Sequence, residues 1–205
     1  MTLQLPTVFV VDDDPVQVFF LSGILRTAGH RVEAFEQPEA LLARLSASNR
    51  GCVVLDLQMP GLSGLELQRA LEGRGVTLPL IFVSGHADVT AAVTAMKQGA
   101  VDFLPKPVDP KELCAVVARA LRKDTEAAAE RGAIDLARTR WAALSARERE
   151  VCRLFSRGML NKQIATVLGT AESTVRALLL RALQNLQVNT VAALVRLMEQ
   201  ASDEG

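Results

Sequence analysis

Five short strand-like segments alternate with helical segments inside the first 123 residues, and that alternation constrains the fold more than any other feature of the chain. Residues 7–11, 52–55 and 80–83 are apolar runs, the pattern of strands buried on both faces of a parallel sheet. Residues 31–35 alternate in polarity and read as the second strand, and 101–104 as the fifth. Helices are expected from Pro15 to about Ala28, over 38–47, from Gly64 to about Glu72, after a capping Asp88 to Gln98, and from Pro110 onward. This order predicts an α/β doubly wound, five-stranded parallel sheet with helices on both faces.

In such sheets ligands bind beyond the carboxyl ends of the strands. The residues at those ends are chemically loaded. Asp12, Asp13 and Asp14 follow the first strand, Asp56 ends the third, Ser84 the fourth, and Lys106 follows the fifth. Pro60, Gly61 and Gly64 force an exposed loop after Asp56. In the order 2-1-3-4-5 the first and third strands are neighbours, so Asp12, Asp13 and Asp56 are expected to converge. Helix capping accounts for one or two of the acids, but three carboxylates in one crevice repel unless a cation is present. Magnesium suits the set, because it takes one or two carboxylates together with phosphate oxygens. Lys106 offers a point charge for a phosphoryl oxygen, and Ser84 a hydroxyl. Such residues can receive a phosphoryl group on a carboxylate.

Net charge is zero over 205 residues, but it is unevenly placed. Residues 145–198 carry 8 basic and 3 acidic groups, so the basic bias is confined to the C-terminal part. Cys52, Cys114 and Cys152 lack metal-ligand spacing, and their odd number argues against a disulfide framework. His30 and His86 are not grouped and read as solvated loop or loop-edge residues. No leader or membrane-length apolar run is evident, so a cytoplasmic protein with no membrane partner is expected.

Residues 124–143 consist of strong helix formers apart from Gly132 and are expected to form a helical linker, either separate from the fifth helix or continuing it, with Gly132 as its weak point. Beyond it, Ser145 and Glu148 make a capping box, Gly158 and Gly169 end helices, Asn161 is expected to cap a short helix, and Asn189 or Thr190 to cap the last. Four short helices follow, with a helix-turn-helix candidate at 161–186.

The motifs around Asp12-Asp13, Leu55-Asp56-Leu-Gln-Met-Pro-Gly-Leu-Ser-Gly64, Ser84-Gly-His-Ala and Asp102-Phe-Leu-Pro-Lys106-Pro resemble the flavodoxin-like receiver domain of two-component response regulators. The resemblance implies that Asp56 is phosphorylated by a partner histidine kinase. It implies that Mg2+ is held by Asp12, Asp13, Asp56 and the backbone carbonyl of Gln58. It gives Ser84 and Phe103 the switch roles, pairs Lys106 with the phosphoryl group, and makes the Lys106–Pro107 bond cis. Leu144-Ser-Ala-Arg-Glu148, Asn161-Lys-Gln-Ile-Ala165 and Glu172-Ser-Thr-Val175-Arg resemble the LuxR-type helix-turn-helix, a small all-α four-helix DNA-binding domain. Together they resemble the FixJ-like (NarL/FixJ-type) branch, the regulators of styrene catabolism in particular. The expected division is a receiver at 1–123, the linker at 124–143 and the DNA-binding domain at 144–205.

The implied function is a phosphorylation-controlled transcriptional regulator, not an enzyme in its output. It would form a homodimer on phosphorylation through about 88–104 and bind double-stranded DNA with Lys162, Ser173, Thr174, Arg176, Ala177, Leu180 and Arg181. The sequence departs from the family at Leu178, Leu179 and Leu180, where polar or basic residues are common; not all three leucines can face inward at helical spacing. The alternative is a phosphorylation-controlled protein-interaction module whose helix-turn-helix has lost specific DNA reading. A dehalogenase-like phosphohydrolase would place its nucleophile after the first strand, and the surrounding pattern and cap segment for it are missing. No Gly-rich turn follows the first strand, which argues against a dinucleotide site.

Overall fold

A computed structural model describes residues 5–85 and 89–202, so the expectations for His86 and for Asp88 as a cap lie outside the described residues. The chain divides into two compact units, Met1–Ala127 and Ala128–Gly205.

In the first unit, strands β1 (Thr7–Val11), β2 (Arg31–Phe35), β3 (Gly51–Asp56), β4 (Leu80–Ser84) and β5 (Asp102–Pro105) form one sheet in the order β2-β1-β3-β4-β5. All four pairings are parallel, with Val11 beside Leu55 and Asp56 beside Val83. Side chains alternate across the sheet and both faces are covered, which is why the central strands read as unbroken apolar runs. On one face Phe9, Val11, Val53, Leu55 and Phe82 pack with residues of α2 (Pro38–Arg44), α3 (Gly64–Gly73) and α4 (Val89–Lys97). On the other, Val8, Val10, Cys52, Val54, Ile81 and Val83 pack with α1 (Pro15–Thr27) and α5 (Pro110–Ala143).

Helix α2 stops at Arg44, three residues before its expected end. The Asn49 side chain accepts a hydrogen bond from the Ser46 N–H at 2.8 Å, so that segment turns instead of continuing the helix. Burial pushes the Cys52 thiol upward, and that of Cys152 up to about 11, which leaves both as packing groups.

Helix α5 is unbroken for 34 residues and passes through Gly132. Its residues serve both units. Asp124 is buried and accepts from Arg50 Nε at 2.8 Å and from the Gly51 N–H at 3.1 Å. Ala137 belongs to the core of the second unit, with Trp141 packed against it.

The second unit also contains α6 (Ala146–Ser156), α7 (Asn161–Leu168), α8 (Glu172–Leu186) and α9 (Val191–Ser202). The Ser145–Glu148 capping box forms: the Glu148 N–H donates to Ser145 Oγ at 3.2 Å, and Glu148 Oε2 accepts from the Ser145 N–H at 2.9 Å. The backbone hydrogen bond from Ser145 holds the Glu148 carboxyl below its usual range. Asn161, expected as a cap, is instead the first residue of α7. Leu160 occupies the cap position, where its N–H donates to Gln163 Oε1 at 2.8 Å. Gln163 lies three residues after the cap and can reach back to that N–H. Gly169, at φ 62°, ends α7 in the left-handed region. Thr190 Oγ1 accepts from the Ala193 N–H, which caps α9 as expected.

No single helix among the described residues is long and apolar enough to cross a membrane. The bent pair Glu172–Leu186 and Val191–Ala201 meets that test by length and composition, and its buried residues, such as Leu179, Leu186, Leu194 and Leu197, form the core of the second unit.

Candidate functional site

The carboxyl edge of the sheet brings Asp12, Asp56 and Lys106 together across three strands. Lys106 Nζ lies 2.7 Å from Asp12 Oδ2 and 2.8 Å from Asp56 Oδ1. Asp12 is 1% exposed and Asp56 6%. Each carboxylate has a second anchor: Asp12 Oδ1 accepts from the Asp14 N–H at 3.0 Å, and Asp56 Oδ2 from the Gln58 N–H at 2.8 Å. Ser84 is buried at the end of β4, and its carbonyl accepts from the Lys106 N–H at 2.7 Å. The Lys106–Pro107 bond is cis. Phe103 is half-buried against the cluster that holds Leu57 and Met59.

The three acids after β1 separate in role. Asp12 enters the crevice. Asp14 caps α1 by accepting from the Val16 N–H at 2.9 Å. Asp13 is exposed. Among the described residues no group of three or more His, Cys, Asp or Glu is arranged to hold a metal ion. The Lys106 ammonium is shared by the two buried carboxylates of Asp12 and Asp56. The donors present are all hard oxygens, with two carboxylates drawn to one cation, which is the chemistry magnesium takes.

Burial raises the Asp12 carboxyl above its ordinary value and outweighs the hydrogen bonds from Lys106 and the Asp14 N–H. Burial would lower Lys106, but hydrogen bonds to Asp12 and Asp56 outweigh it and hold the ammonium above its ordinary value. The pair thus favours charge on the lysine without fully offsetting the cost of an ionised, buried Asp12. Because the folded state holds the Asp12 proton more tightly, stability falls as pH rises from the unfolded value of 3.8 through the raised folded value. Above both values the penalty is constant. Asp12→Asn is expected to raise stability relative to the wild type at pH 7 and to leave it nearly unchanged at pH 3, as read by urea unfolding at the two pH values.

On α8, Val175, Leu179, Ala182 and Leu186 face inward at helical spacing. Ser173, Thr174, Arg176, Ala177, Leu180 and Arg181 are all exposed, as is Lys162 on α7. Of the three successive leucines, Leu179 is 7% exposed, Leu178 packs beside the core, and Leu180 is 59% exposed. Arg176 Nη2 lies 3.4 Å from Glu172 Oε1, one helical turn back.

The family profile for the response regulator receiver domain matches residues 8–118, and that for bacterial regulatory proteins of the luxR family matches residues 142–198. The chain belongs to the response regulators, of the NarL/FixJ type. It is 34% identical over 203 residues to the response regulator protein TodT of Pseudomonas putida, covering 99% of this chain and 89% of that one. It is 38% identical over 195 residues to the transcriptional regulatory protein FixJ of Bradyrhizobium diazoefficiens, covering 95% of each. Among solved structures it is similar to the response regulator StyR, with a TM-score of 0.88, 40% identity, and 96% and 100% of the two chains covered.

Sequence reasoning about this response regulator missed the latch of Arg50, Gly51 and Asp124. Asp124 lies in a run of helix formers with no local sign of burial, and its partners are more than 70 residues away. It also missed an open apolar groove of about 630 Å³ lined by Phe19, Phe20, Gly23, Ile24 and Cys114. Phe19 is 80% exposed there.

Proposed function

We propose that this response regulator is a cytoplasmic, phosphorylation-controlled transcription factor. The carrying observation is Lys106 Nζ held 2.7 and 2.8 Å from Asp12 and Asp56 at the carboxyl edge of the sheet. That contact supports Lys106 as the cation that pairs with a phosphoryl group on Asp56. The Asp56 carboxylate attacks the phosphorus of a histidine kinase's phosphohistidine, the N–P bond breaks, and the electron pair stays on the imidazole nitrogen. Lys106 then pairs with a phosphoryl oxygen, and Ser84 takes another. A magnesium ion held by Asp12, Asp13, Asp56 and the backbone carbonyl of Gln58 would supply positive charge to the same oxygens.

Helix α1 begins directly after the acids, and its exposed Val16, Phe19 and Phe20 offer the kinase an apolar surface beside the crevice. Occupation of Ser84 and inward movement of Phe103 favour a second state of the receiver; phosphorylation shifts the balance only by its differential affinity for the two. That state dimerises through about 88–104, where Val93 and Met96 are exposed on α4. The proposed division is a receiver at 1–123, a helical linker at 124–143 and a DNA-binding domain at 144–205.

Two copies then present α8 to a two-fold DNA site, with Arg176 reading guanine and Lys162 and Arg181 on phosphates. Selection from random duplexes by the phosphorylated protein is expected to yield an enriched palindrome. Affinity for it should fall about tenfold or more between 50 and 200 mM salt, as read by fluorescence anisotropy. Failure to enrich any sequence, with or without phosphorylation, would favour a protein-interaction module instead.

A further inference from the structure

The exposed face of α8 is not uniformly polar. Seen along the helix, Ser173, Arg176, Ala177, Leu180 and Arg181 form one stripe, since residues three and four apart are neighbours. Leu180 lies in its C-terminal half and is 59% exposed, while the adjacent Leu179 is in the core at 7%. The core therefore does not explain Leu180. It stands between two arginines on the same face, Arg176 one turn back and Arg181 next in sequence, where a bare leucine cannot hydrogen-bond any base or phosphate.

The major groove offers one apolar group, the C5-methyl of thymine. We propose that Leu180 is a specificity-determining residue that packs on a thymine methyl, so that the half-site read by α8 pairs a guanine for Arg176 with a nearby thymine for Leu180. Two further features agree with this. Glu172, 3.4 Å from Arg176, braces the guanidinium and leaves the C-terminal side of the stripe to Leu180. Ala177, one turn before Arg181, is too small to keep Leu180 away from the groove floor. Arg176 and Leu180 are four residues apart, a rise of about 6 Å. At about 3.4 Å per step along one strand, that puts the thymine within about two base pairs of the guanine. Discrimination at that position is then apolar, which separates it from the charge-driven remainder of the interface.

This inference rests on the proposed DNA-binding reading, and the experiment keeps the two apart. The full-length, phosphorylated protein is first used to select its site from random duplexes. Each thymine of that site is then replaced singly by deoxyuridine, which removes the methyl and keeps every hydrogen-bonding group. The wild type is expected to weaken about fourfold at one thymine position per half-site, the effect of losing one buried methyl-sized group. Leu180→Ala is expected to bind the thymine and deoxyuridine versions equally. Leu180→Lys, which keeps an exposed side chain of similar reach, should also lose the methyl dependence while its affinity becomes more sensitive to salt. Equal wild-type affinity for thymine and deoxyuridine at every position, in a protein that does select a sequence, overturns the inference alone. An undiminished methyl preference in Leu180→Ala also overturns it. Failure to select any sequence overturns both this inference and the DNA-binding reading.

Discussion

Asp56→Asn is expected to abolish phosphorylation by acetyl phosphate in the presence of magnesium, with the acid-stable, base-labile label falling to background. Asn keeps the size of the side chain and its position at the end of β3, where Asp56 is 6% exposed, but its amide oxygen is not a nucleophile for phosphorus. Lys106 keeps its contact with Asp12 at 2.7 Å, so the crevice retains one of its two ion pairs and the fold is expected to survive. Phosphorylation-dependent dimerisation, followed by light scattering, should be lost with the label. Label persisting on the variant would move the acceptor elsewhere, with Asp13 the nearest exposed carboxylate in sequence to the crevice.

Gly51→Ala is expected to destabilise the first unit by about 4 kcal/mol or more, a loss in the exceptional range for single substitutions. Gly51 starts β3 at φ 131°, and a Cβ built there would lie 1.8 Å from the Thr7 carbonyl oxygen. The obstacle is backbone, in register with Gly51 across the β1–β3 pairing, so no side chain can rotate out of the way. Relief requires moving β3 away from β1 or turning the Gly51 peptide, and the latter removes its N–H from the buried Asp124 carboxylate 3.1 Å away. Either route opens the two central strands. Against a typical total stability of about 5–15 kcal/mol, such a loss leaves a substantial unfolded population. Urea unfolding should show a much lower midpoint with an unchanged slope. A midpoint within experimental scatter of the wild type would show that the strand edge yields more easily than this packing implies.

These substitutions differ in how far the sequence announces them. Asp56 is legible because an apolar run, one carboxylate and a Pro/Gly loop occur together, and because Asp12, Ser84 and Lys106 recur at the ends of the other strands. Strand period and loop chemistry are local, so five strands and most helix limits follow from neighbours in the chain. Gly51 carries no such signal among its neighbours. Its requirement comes from Thr7, 44 positions earlier, brought against it only by parallel pairing. Likewise the three acids look alike in sequence, yet one enters the crevice, one faces water and one caps α1.

Periodicity and short motifs announce the five strands, the chemically loaded residues at their carboxyl ends and the helix-turn-helix, and the doubly wound order follows from the fold class they imply. Packing of the whole chain settled which residues those motifs bring into contact. It put Lys106 between Asp12 and Asp56, left Asp13 exposed, tied Asp124 to Arg50 and Gly51, and exposed Leu180 while burying Leu179. The physical reason is the same in each case. Which way a side chain points follows from local backbone geometry, but what it meets there is set by elements distant in the chain, and burial, charge and clash act at that meeting point.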